Sequence, residues 1–384
     1  MKLPKTVGLP RMMKEAGEKR VFLPEFVQYL TTLGCSVYVE EGYGSRSGFA
    51  FADYQMANPE VYSCSREEAF QQDVILVLRS PALDEFKLIR PGSCLVSMLH
   101  FPTRPTRVRR LKELGINAIS LDSIANDNNI RLVENMKAVG WNGLEAAFDV
   151  LEKRWVNMMQ SEDMLIHVLI LGAGMVGKHA VEAATKMGNI ERFNQYLHTR
   201  RLGVITQTVG RNVTGQHVVM ESLLRQADIL VDAVQRSDAS LPIIPNQWLE
   251  WLPEHAVIAD LAVDPYLLEA SPPVVRGVEG IPQGNLDQYI FSAVDPTWDQ
   301  TVPASVPSKN RRNVVSCYSW PGIHPEACMR HYIQQLEPLM EELFSKGYEQ
   351  LSLEGGYFER ALCRGKLHTW LQHEHYTLQP HNNQ

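Results

Sequence analysis

The feature that most constrains this chain is a glycine turn at residues 169–177. The apolar run Leu169-Ile170-Leu171 leads directly into glycines with the spacing Gly-x-Gly-x-x-Gly, and an alanine-rich segment with helical spacing follows. In a strand–turn–helix unit, such glycines allow the tight turn, the approach of the backbone to a pyrophosphate, and close packing of helix on strand. The helix N-terminus adds N–H groups and a positive dipole for phosphates. The pattern predicts a dinucleotide site, with a purely structural turn as the alternative; the predicted cofactor-binding residues are Gly172, Gly174, Met175, Val176 and Gly177.

The acidic part of this nucleotide fingerprint is missing. A carboxylate is expected about 20 positions further on, at the end of the second strand, where it binds the adenosine ribose hydroxyls. Here the second strand follows an insertion at 189–201 and ends Val209-Gly210-Arg211-Asn212. Arg211 could face a 2′-phosphate, which favours NADP over NAD, although an ordinary surface arginine is the alternative. The predicted cofactor is therefore NAD or NADP, with a preference for NADP.

Short apolar runs alternate with helical spacing along most of the chain, which predicts parallel sheets covered on both faces. A long helix is predicted at 134–158, between the two series of strands, and another at 326–346. We expect an α/β protein with two Rossmann-like doubly wound parallel-sheet domains and a cleft between them. A substrate domain would comprise 1–139 plus 315–384, and a dinucleotide-binding domain 140–314. The predicted strands are 5–9, 36–40, 73–78, 94–99 and 118–121 in the first series, and 166–171, 204–207, 228–231, 257–261 and 289–291 in the second.

Composition excludes several classes of protein. The 384 residues carry a formal net charge of −7, which argues against a general nucleic-acid binder. No apolar stretch approaches the roughly 20 residues that span a bilayer, and no export signal is recognisable. The six cysteines are scattered without a Cys-x-x-Cys pair, which is typical of free thiols in a reducing compartment, so we expect a cytoplasmic protein. We predict a polar, frayed end at 368–384 and no metal site, although this stretch contains His368, His373, His375 and His381.

Several short motifs, in the right order, resemble the alanine dehydrogenase family. That family also includes the nucleotide-binding subunit of proton-translocating transhydrogenase and lysine-forming saccharopine dehydrogenase. The matching segments are Val7–Pro10, Glu18–Pro24, Leu78–Pro81, Pro91–His100, Gly172–Gly177, Ile258–Asp264 and Val302–Pro307.

The resemblance implies roles for three residues. The arginine that matches Arg20 binds the substrate carboxylate, the histidine that matches His100 is the acid–base group, and the aspartate that matches Asp264 borders the site. These residue types suit the oxidation of an amine to an imine, which needs a carboxylate clamp and a group that titrates near neutrality. The alternatives are a surface ion pair of Arg20 with Glu15 or Glu18, and a histidine at a strand end with no catalytic role.

Two departures from the family pattern concern the substrate. Arg79 stands where alanine and saccharopine dehydrogenases have a lysine, and Pro10-Arg11-Met12 replaces the early Pro-x-Glu, which removes a carboxylate. Arginine is a poor general base and a good carboxylate clamp. We therefore predict that Arg79 has a catalytic and substrate-binding role with a substrate other than alanine. An extra carboxylate or a bulky tail, as in opine-type or saccharopine-like secondary amines, would fit this change.

The predicted function is NAD(P)-dependent hydride transfer to or from the α-carbon of an amino or imino acid. The substrate would be a small amino or keto acid, with neither nucleic acid nor membrane as partner. A homo-oligomer is compatible with the resemblance, which does not decide the assembly. The alternatives are a transhydrogenase-like nucleotide-binding component, which His100 disfavours because the transhydrogenase subunit lacks that histidine, and a non-catalytic NAD(P) sensor.

Overall fold

A computed structural model of the chain describes residues 3–13, 15–56, 59–154, 163–199, 201–236 and 238–377. The chain divides into two compact units, Met1–Asn135 with Pro325–Gln384 and Met136–His324. Each unit contains one six-stranded sheet with helices packed on it. This arrangement confirms the predicted α/β class with two Rossmann-like sheets.

The first unit is built on an all-parallel sheet with the strand order β3-β2-β1-β4-β5-β6. Its strands are β1 (Thr6–Leu9), β2 (Ser36–Glu40), β3 (Val61–Cys64), β4 (Val74–Arg79), β5 (Cys94–Met98) and β6 (Asn117–Ser120). Its helices are α1 (Pro24–Thr32), α2 (Phe51–Gln55), α3 (Arg66–Phe70), α4 (Pro105–Glu113), α11 (Pro325–Lys346), α12 (Tyr357–Gly365) and α13 (Leu367–Thr377).

The central strand β4 shows why this sequence forms a sheet that is buried on both faces. Val74, Leu76 and Leu78 pack in the cluster that contains the apolar side of α11, whereas Ile75 and Val77 pack with α4 on the other face. Both sides of the strand are apolar because both are covered, which produces a continuous apolar run rather than an alternating one. The carboxyl end of the strand carries Arg79.

The second unit has the strand order β11-β12-β10-β9-β7-β8. Its strands are β7 (Asp163–Leu171), β8 (Arg201–Val209), β9 (Ile229–Asp232), β10 (Val257–Asp260), β11 (Ile290–Phe291) and β12 (Asn313–Ser316). Its helices are α5 (Met136–Arg154), α6 (Met175–Ala184), α7 (Ile190–Thr199), α8 (Arg211–Thr214), α9 (His217–Leu224) and α10 (Trp298–Thr301). In β10, Val257 and Ala259 pack with α5 and α6, and Ile258 packs on the opposite face with α9.

The structure differs from the sequence prediction in several elements, and β3 is a strand that the sequence did not predict. The strand predicted at 289–291 is β11, and it pairs antiparallel with β12. Strand β12 pairs with β10 and spans the predicted domain boundary at 314/315, so the second unit continues to His324. The insertion at 189–201 forms α7, and the long helix between the two series of strands is α5, with 155–158 outside the described residues.

The prediction of a frayed end from residue 368 is wrong for its first part. Residues Leu367–Thr377 form α13, in which Leu367 and Thr369 are buried. Trp370 packs its ring on Phe101 at a centroid distance of 5.6 Å. Burial of these side chains stabilises a helix that its polar composition alone does not reveal. His381 lies outside the described residues.

Candidate active site

The glycine turn of the second unit has the geometry that a dinucleotide requires. Gly172 has a φ of 98°, and a Cβ there would lie 2.7 Å from the carbonyl oxygen of Ala233. A Cβ on Gly177 would lie 2.0 Å from the carbonyl oxygen of Gly172. At Gly174 a Cβ would meet nothing within 4 Å, so the backbone there faces open space. Helix α6 begins at Met175 without a side-chain cap, which leaves its first N–H groups for a phosphate.

A cavity of about 820 Å³ extends from this turn. The turn, the end of β8 with Arg211, and the segment after β9 line it. The segment after β9 contributes apolar side chains, Val234, Leu241 and Ile243, which suit the flat face of an adenine. Glycines that leave room for a pyrophosphate, a free helix N-terminus and an apolar wall together fit a dinucleotide.

Arg211 lies at the start of α8, immediately beyond β8, and its side chain is exposed. It lines the cavity together with Gly210 and Thr214. Because Gly210, Arg211 and Asn212 follow the strand, no carboxylate stands at this strand end. Contact of Arg211 with a 2′-phosphate stays a prediction.

Asp264 follows β10 and forms an ion pair that the sequence did not reveal. Nη2 of Arg236 donates to its Oδ2 at 2.7 Å, and Nε donates to the same oxygen at 3.2 Å. The Arg236 side chain is 5% exposed and also donates to the carbonyl oxygens of Leu241 and Val275. One guanidinium therefore joins Asp264 to the segments that form the cavity wall and neutralises its charge.

Asp232, at the carboxyl end of β9, is fully buried beneath this ion pair. Its Oδ1 accepts a hydrogen bond from the backbone N–H of Val234 at 3.2 Å, whereas its Oδ2 has no partner among the described residues. Burial, with the neighbouring charge of Asp264, raises the pKa of Asp232 to about 6. Arg236 and Arg276 act in the opposite direction, so the local charge is balanced by several groups.

In the first unit, Arg20 is buried and bound to Glu18. Its Nε donates to Oε1 of Glu18 at 2.9 Å, its Nη2 donates to Oε2, and its side chain is 3% exposed. Burial opposes the charge, but hydrogen bonds and attraction from Glu18 outweigh it, so the pKa of Arg20 is raised. The structure therefore contains the ion pair of Arg20 with Glu18 that was the alternative to a carboxylate-binding role, but this pair is buried rather than on the surface.

Arg79 and Arg20 are linked through a second carboxylate, Glu15. Nη2 of Arg79 forms an ion pair with Oε1 of Glu15, and Nη2 of Arg20 lies 4.0 Å from its Oε2. The Arg79 side chain is 39% exposed. Glu15 thus supplies a carboxylate at this site, although Pro10-Arg11-Met12 lacks the family's early glutamate.

His100 lies beyond β5 and is held by Asp122, a residue beyond β6. The register Ser97 with Ser120 places these two strand ends side by side. The backbone N–H of His100 donates to Oδ1 of Asp122 at 3.1 Å, and its Nδ1 lies 3.2 Å from Oδ2. His100 has a φ of 51°, a left-handed conformation that is costly for a residue with a Cβ and that the contact with Asp122 sustains.

Asp122 is ionised in this arrangement. Burial favours its neutral form, but hydrogen bonds from His100 and Ser120 hold the pKa of the Asp122 carboxyl well below its usual range. The hydroxyl of Ser120 donates to its Oδ1 at 2.8 Å. In its neutral form the His100 ring carries its proton on Nδ1, because a carboxylate only accepts; Nε2 then keeps its lone pair, on a side chain that is 50% exposed.

The predicted residues fall into two groups. In the first unit, Arg20 lies in the loop after β1, Arg79 ends β4 and His100 follows β5. In the second unit, the glycines, Arg211 and Asp264 follow the carboxyl ends of β7, β8 and β10. The sequence did not assign functions to Glu15, Asp122 or Arg236. A polar residue directly after a buried parallel strand, as Asp122 is, could have signalled the first-unit site.

The described part of the chain contains neither a candidate metal cluster nor a candidate membrane-spanning helix. Within residues 3–13, 15–56, 59–154, 163–199, 201–236 and 238–377, no group of three or more His, Cys, Asp or Glu side chains could hold a metal ion. None of the helices in these ranges is long and apolar enough to cross a bilayer.

Two family models match the chain. The model described as "Alanine dehydrogenase/PNT, N-terminal domain" matches residues 8–139, and the model described as "Alanine dehydrogenase/PNT, C-terminal domain" matches residues 162–265. Together they cover the residues of both groups that lie between Gly8 and Asp264.

Individual proteins agree with the family models. The chain is 24% identical over 273 residues to an alanine dehydrogenase of Methanococcus maripaludis, which covers 67% of this chain and 72% of the relative. It is 23% identical over 192 residues to the NAD(P) transhydrogenase subunit alpha of Haemophilus influenzae, covering 48% of this chain and 37% of that protein. A solved structure titled L-alanine dehydrogenase has the same fold, with a TM-score of 0.64, 20% identity and 94% of each chain covered.

Proposed function

Because the chain belongs to the alanine dehydrogenase/PNT family, we propose that it is an NAD(P)-dependent amino-acid or imino-acid oxidoreductase. Hydride would pass between the nicotinamide and the α-carbon of an amino acid or secondary amine. The observation that carries this proposal is the imidazole of His100, exposed on one side and held by the ionised Asp122 on the other. A protein that only passed hydride between nucleotides would have no use for an oriented acid–base group.

His100 is proposed as the proton-transfer group. Its Nδ1–H is committed to Asp122, so Nε2 accepts a proton from the substrate amine and returns it in the reverse direction. Asp122 stabilises the imidazolium that forms and fixes the ring orientation, as carboxylate partners of catalytic histidines do. Asp122 is therefore a positioning residue.

Arg79 and Arg20 are proposed to bind the substrate carboxylate. The half-exposed Arg79 presents its guanidinium to a ligand, and Arg20 lies behind it on the buried side. The carboxylate of Glu15 contacts Arg79 and lies 4.0 Å from Arg20, so the two guanidiniums are close enough to share one carboxylate. Since Arg79 offers a planar fork where relatives have a lysine, the substrate is proposed to be an opine-type or saccharopine-like amine rather than alanine. An Arg79→Ala enzyme with unchanged KM and kcat on the true substrate would contradict this role.

The cofactor is proposed to bind along the glycine turn. Gly172, Gly174, Met175, Val176 and Gly177 would hold the pyrophosphate. The bound nicotinamide supplies or accepts the hydride. Asp264, held by Arg236, would help to position or close the wall of this cavity.

NADP is the proposed preference. The lack of a carboxylate after β8, with Arg211 exposed at that end of the cavity, supports it. In Arg211→Gln, the ratio of KM for NADP to KM for NAD should rise about tenfold, because an arginine–phosphate contact is lost. The control is Arg225→Gln, since Arg225 is exposed on α9 and paired with Glu221. An unchanged ratio would contradict contact between Arg211 and the 2′-phosphate.

The remaining parts of the proposal are a small amino or keto acid as substrate, a cytoplasmic location and a homo-oligomeric assembly. The experiment that tests the function is a spectrophotometric screen of amino acids and of keto acid–amine pairs, with NAD and with NADP. We expect turnover that falls about 10²- to 10⁴-fold in His100→Ala, with nucleotide affinity preserved. A protein that binds nucleotide but turns over no amine or oxo acid contradicts the proposal. Hydride exchange between two nucleotides would favour the transhydrogenase-like alternative.

A further inference from the structure

Arg107 of helix α4 has a half-buried guanidinium without a carboxylate partner among the described residues. Its Nη1 donates to the carbonyl oxygen of Leu99 at 2.6 Å, so the guanidinium lies one residue from His100. Its Nε is buried and has no hydrogen-bond partner in the part of the chain that the structure describes. Among the same residues, no carboxylate oxygen lies within 4.0 Å of it.

Three arginines in the described part of the chain that are more deeply buried are each paired with a carboxylate. Arg20 binds Glu18, Arg236 binds Asp264, and Arg276 binds Asp260. A buried cation without a counterion loses hydration and gains no ion pair in return, so such a group is expected to have a partner. Arg107 has no such partner among the described residues and, unlike the half-buried Arg312, whose guanidinium donates to four carbonyl oxygens, it leaves its Nε without an acceptor.

The surroundings of Arg107 are rich in cations. Burial, together with the charges of Arg104 and Arg79, lowers the pKa of Arg107 to about 10, while Asp122 acts in the opposite direction. The group therefore remains protonated at neutral pH. The carboxylates nearby are already used, since Glu15 pairs with Arg79 and Asp122 pairs with His100. The site has a surplus of positive charge beside its proton-transfer histidine.

We infer that Arg107, assisted by the exposed Arg104, binds a second anionic group of the substrate, namely a side-chain carboxylate. The inference rests on the proposed function and names the class of its substrate: a dicarboxylic amino acid, or the corresponding oxo acid. The α-carboxylate would lie at Arg79 and the second carboxylate at Arg107. The edge of the guanidinium formed by Nε and Nη2 has no acceptor among the described residues, and this edge matches a carboxylate in geometry.

A purely structural role, in which Arg107 only fixes the turn at Leu99, makes a different prediction. Loss of that hydrogen bond would disturb the turn that carries His100 and would reduce activity on every substrate alike. A subsite for a second carboxylate would instead change discrimination between mono- and dicarboxylic substrates. The ratio of kcat/KM values for the two classes is therefore the diagnostic quantity.

The test compares the wild-type protein with Arg107→Gln, Arg107→Lys and the control Arg109→Gln, an exposed arginine on the same helix. Reductive amination by ammonium and reduced cofactor is measured with pyruvate, oxaloacetate and 2-oxoglutarate. We expect the wild-type protein to prefer one of the dicarboxylic acids. In Arg107→Gln, the kcat/KM ratio of dicarboxylic to monocarboxylic substrate should fall about 10- to 100-fold, the loss expected for one charge-assisted hydrogen bond. Arg107→Lys should restore part of the ratio, and Arg109→Gln should leave it unchanged.

Calorimetric titration with glutarate, succinate and butyrate provides a readout that does not depend on turnover. The subsite is supported if a dicarboxylate binds more tightly than butyrate, and if this difference is lost in Arg107→Gln and kept in Arg109→Gln. Such binding without reduction of any oxo acid would contradict the proposed function but not the subsite. Equal treatment of mono- and dicarboxylic compounds by the wild-type protein overturns the inference. So does an equal loss on all substrates in Arg107→Gln. In both cases measurable turnover would leave the proposed function standing.

Discussion

Replacement of Asp122 by asparagine tests how the structure prepares His100. Asparagine keeps the size of the side chain, and its oxygen can still accept from the backbone N–H of His100 and the hydroxyl of Ser120. Its amide nitrogen would then face Nδ1 of His100, where Oδ2 now lies at 3.2 Å. Because that amide nitrogen donates, the imidazole must accept at Nδ1 and carry its proton on Nε2. The ring would present the wrong tautomer for accepting a proton from substrate.

The expected magnitude follows from the loss of one hydrogen bond to a charged group. Such bonds contribute about 1.5–3 kcal/mol, which corresponds to about a 10- to 150-fold fall in kcat for amine oxidation. Asp122→Asn should also lower the free energy of unfolding at neutral pH by about 2 kcal/mol, because the ionised carboxylate is buried and hydrogen-bonded. The pKa of Asp122 is depressed in the folded state, so this contribution is present above the carboxyl's ordinary pKa and disappears as the pH falls through the folded value. The two proteins should therefore converge in stability only in strong acid.

The assay is a thermodynamic cycle of kcat values for the wild-type protein, His100→Ala, Asp122→Asn and the double variant. If Asp122 acts through His100, the double variant should match His100→Ala, since there is no imidazole left to orient. The control is Asp84→Asn, because Asp84 is exposed in the same unit. Additive losses in the double variant, or an unchanged kcat in Asp122→Asn at a pH where it remains folded, would refute the positioning role.

Four further substitutions probe the second unit. Gly177→Ala should lower the free energy of unfolding in denaturant by about 1–3 kcal/mol, because the added Cβ would lie 2.0 Å from a carbonyl oxygen. Gly174→Ala should keep the melting temperature, because its Cβ would meet nothing within 4 Å, and should weaken nucleotide binding in a fluorescence titration. His324→Gln should lower the free energy of unfolding by a few tenths of a kcal/mol below about pH 6, and by less at pH 8. The reason is that the hydrogen bond to Glu145 raises the pKa of His324 in the folded state. The stabilisation is therefore complete below the pKa of the unfolded state and is lost as the pH rises through the pKa of the folded state. Arg236→Met should cost about 3–5 kcal/mol in unfolding, because it leaves a carboxylate unpaired beside the cavity; a cost below about 1 kcal/mol would contradict the importance of that pair.

The sheets could be predicted from the sequence because parallel strands covered on both faces are continuous apolar runs. Strand β4 is such a run, and so is β7 before the glycine turn. Strand β12 escaped prediction because only Val314 and Val315 are apolar, and charged residues precede them. Its strand character comes from pairing with β10 on one side and β11 on the other. Helix α13 was missed for a related reason, since its burial depends on contacts such as that of Trp370 with Phe101.

The first-unit site could be predicted only in part. Arg79 and His100 were recognisable because they end or follow buried strands, and ligands collect at the carboxyl ends of parallel strands. Their partners could not be recognised, because a motif identifies a residue but does not show which residues the fold places beside it. Asp122 reaches His100 through the register of β5 with β6, and Glu15 reaches Arg79 from a loop about sixty residues away in sequence.

Asp264 shows most clearly why a matched motif does not settle the role of a residue. The sequence places an aspartate where the family has one, yet its charge is met by Arg236, whose guanidinium is 5% exposed and also holds the carbonyl oxygens of Leu241 and Val275. This carboxylate is the counterion of a buried guanidinium, which would be unpaired without it. Its effect is mechanical: it ties the segment after β10 to the segments that form the cavity wall. The proposed proton transfer therefore rests on the imidazole of His100, which is exposed and held by a carboxylate that remains ionised.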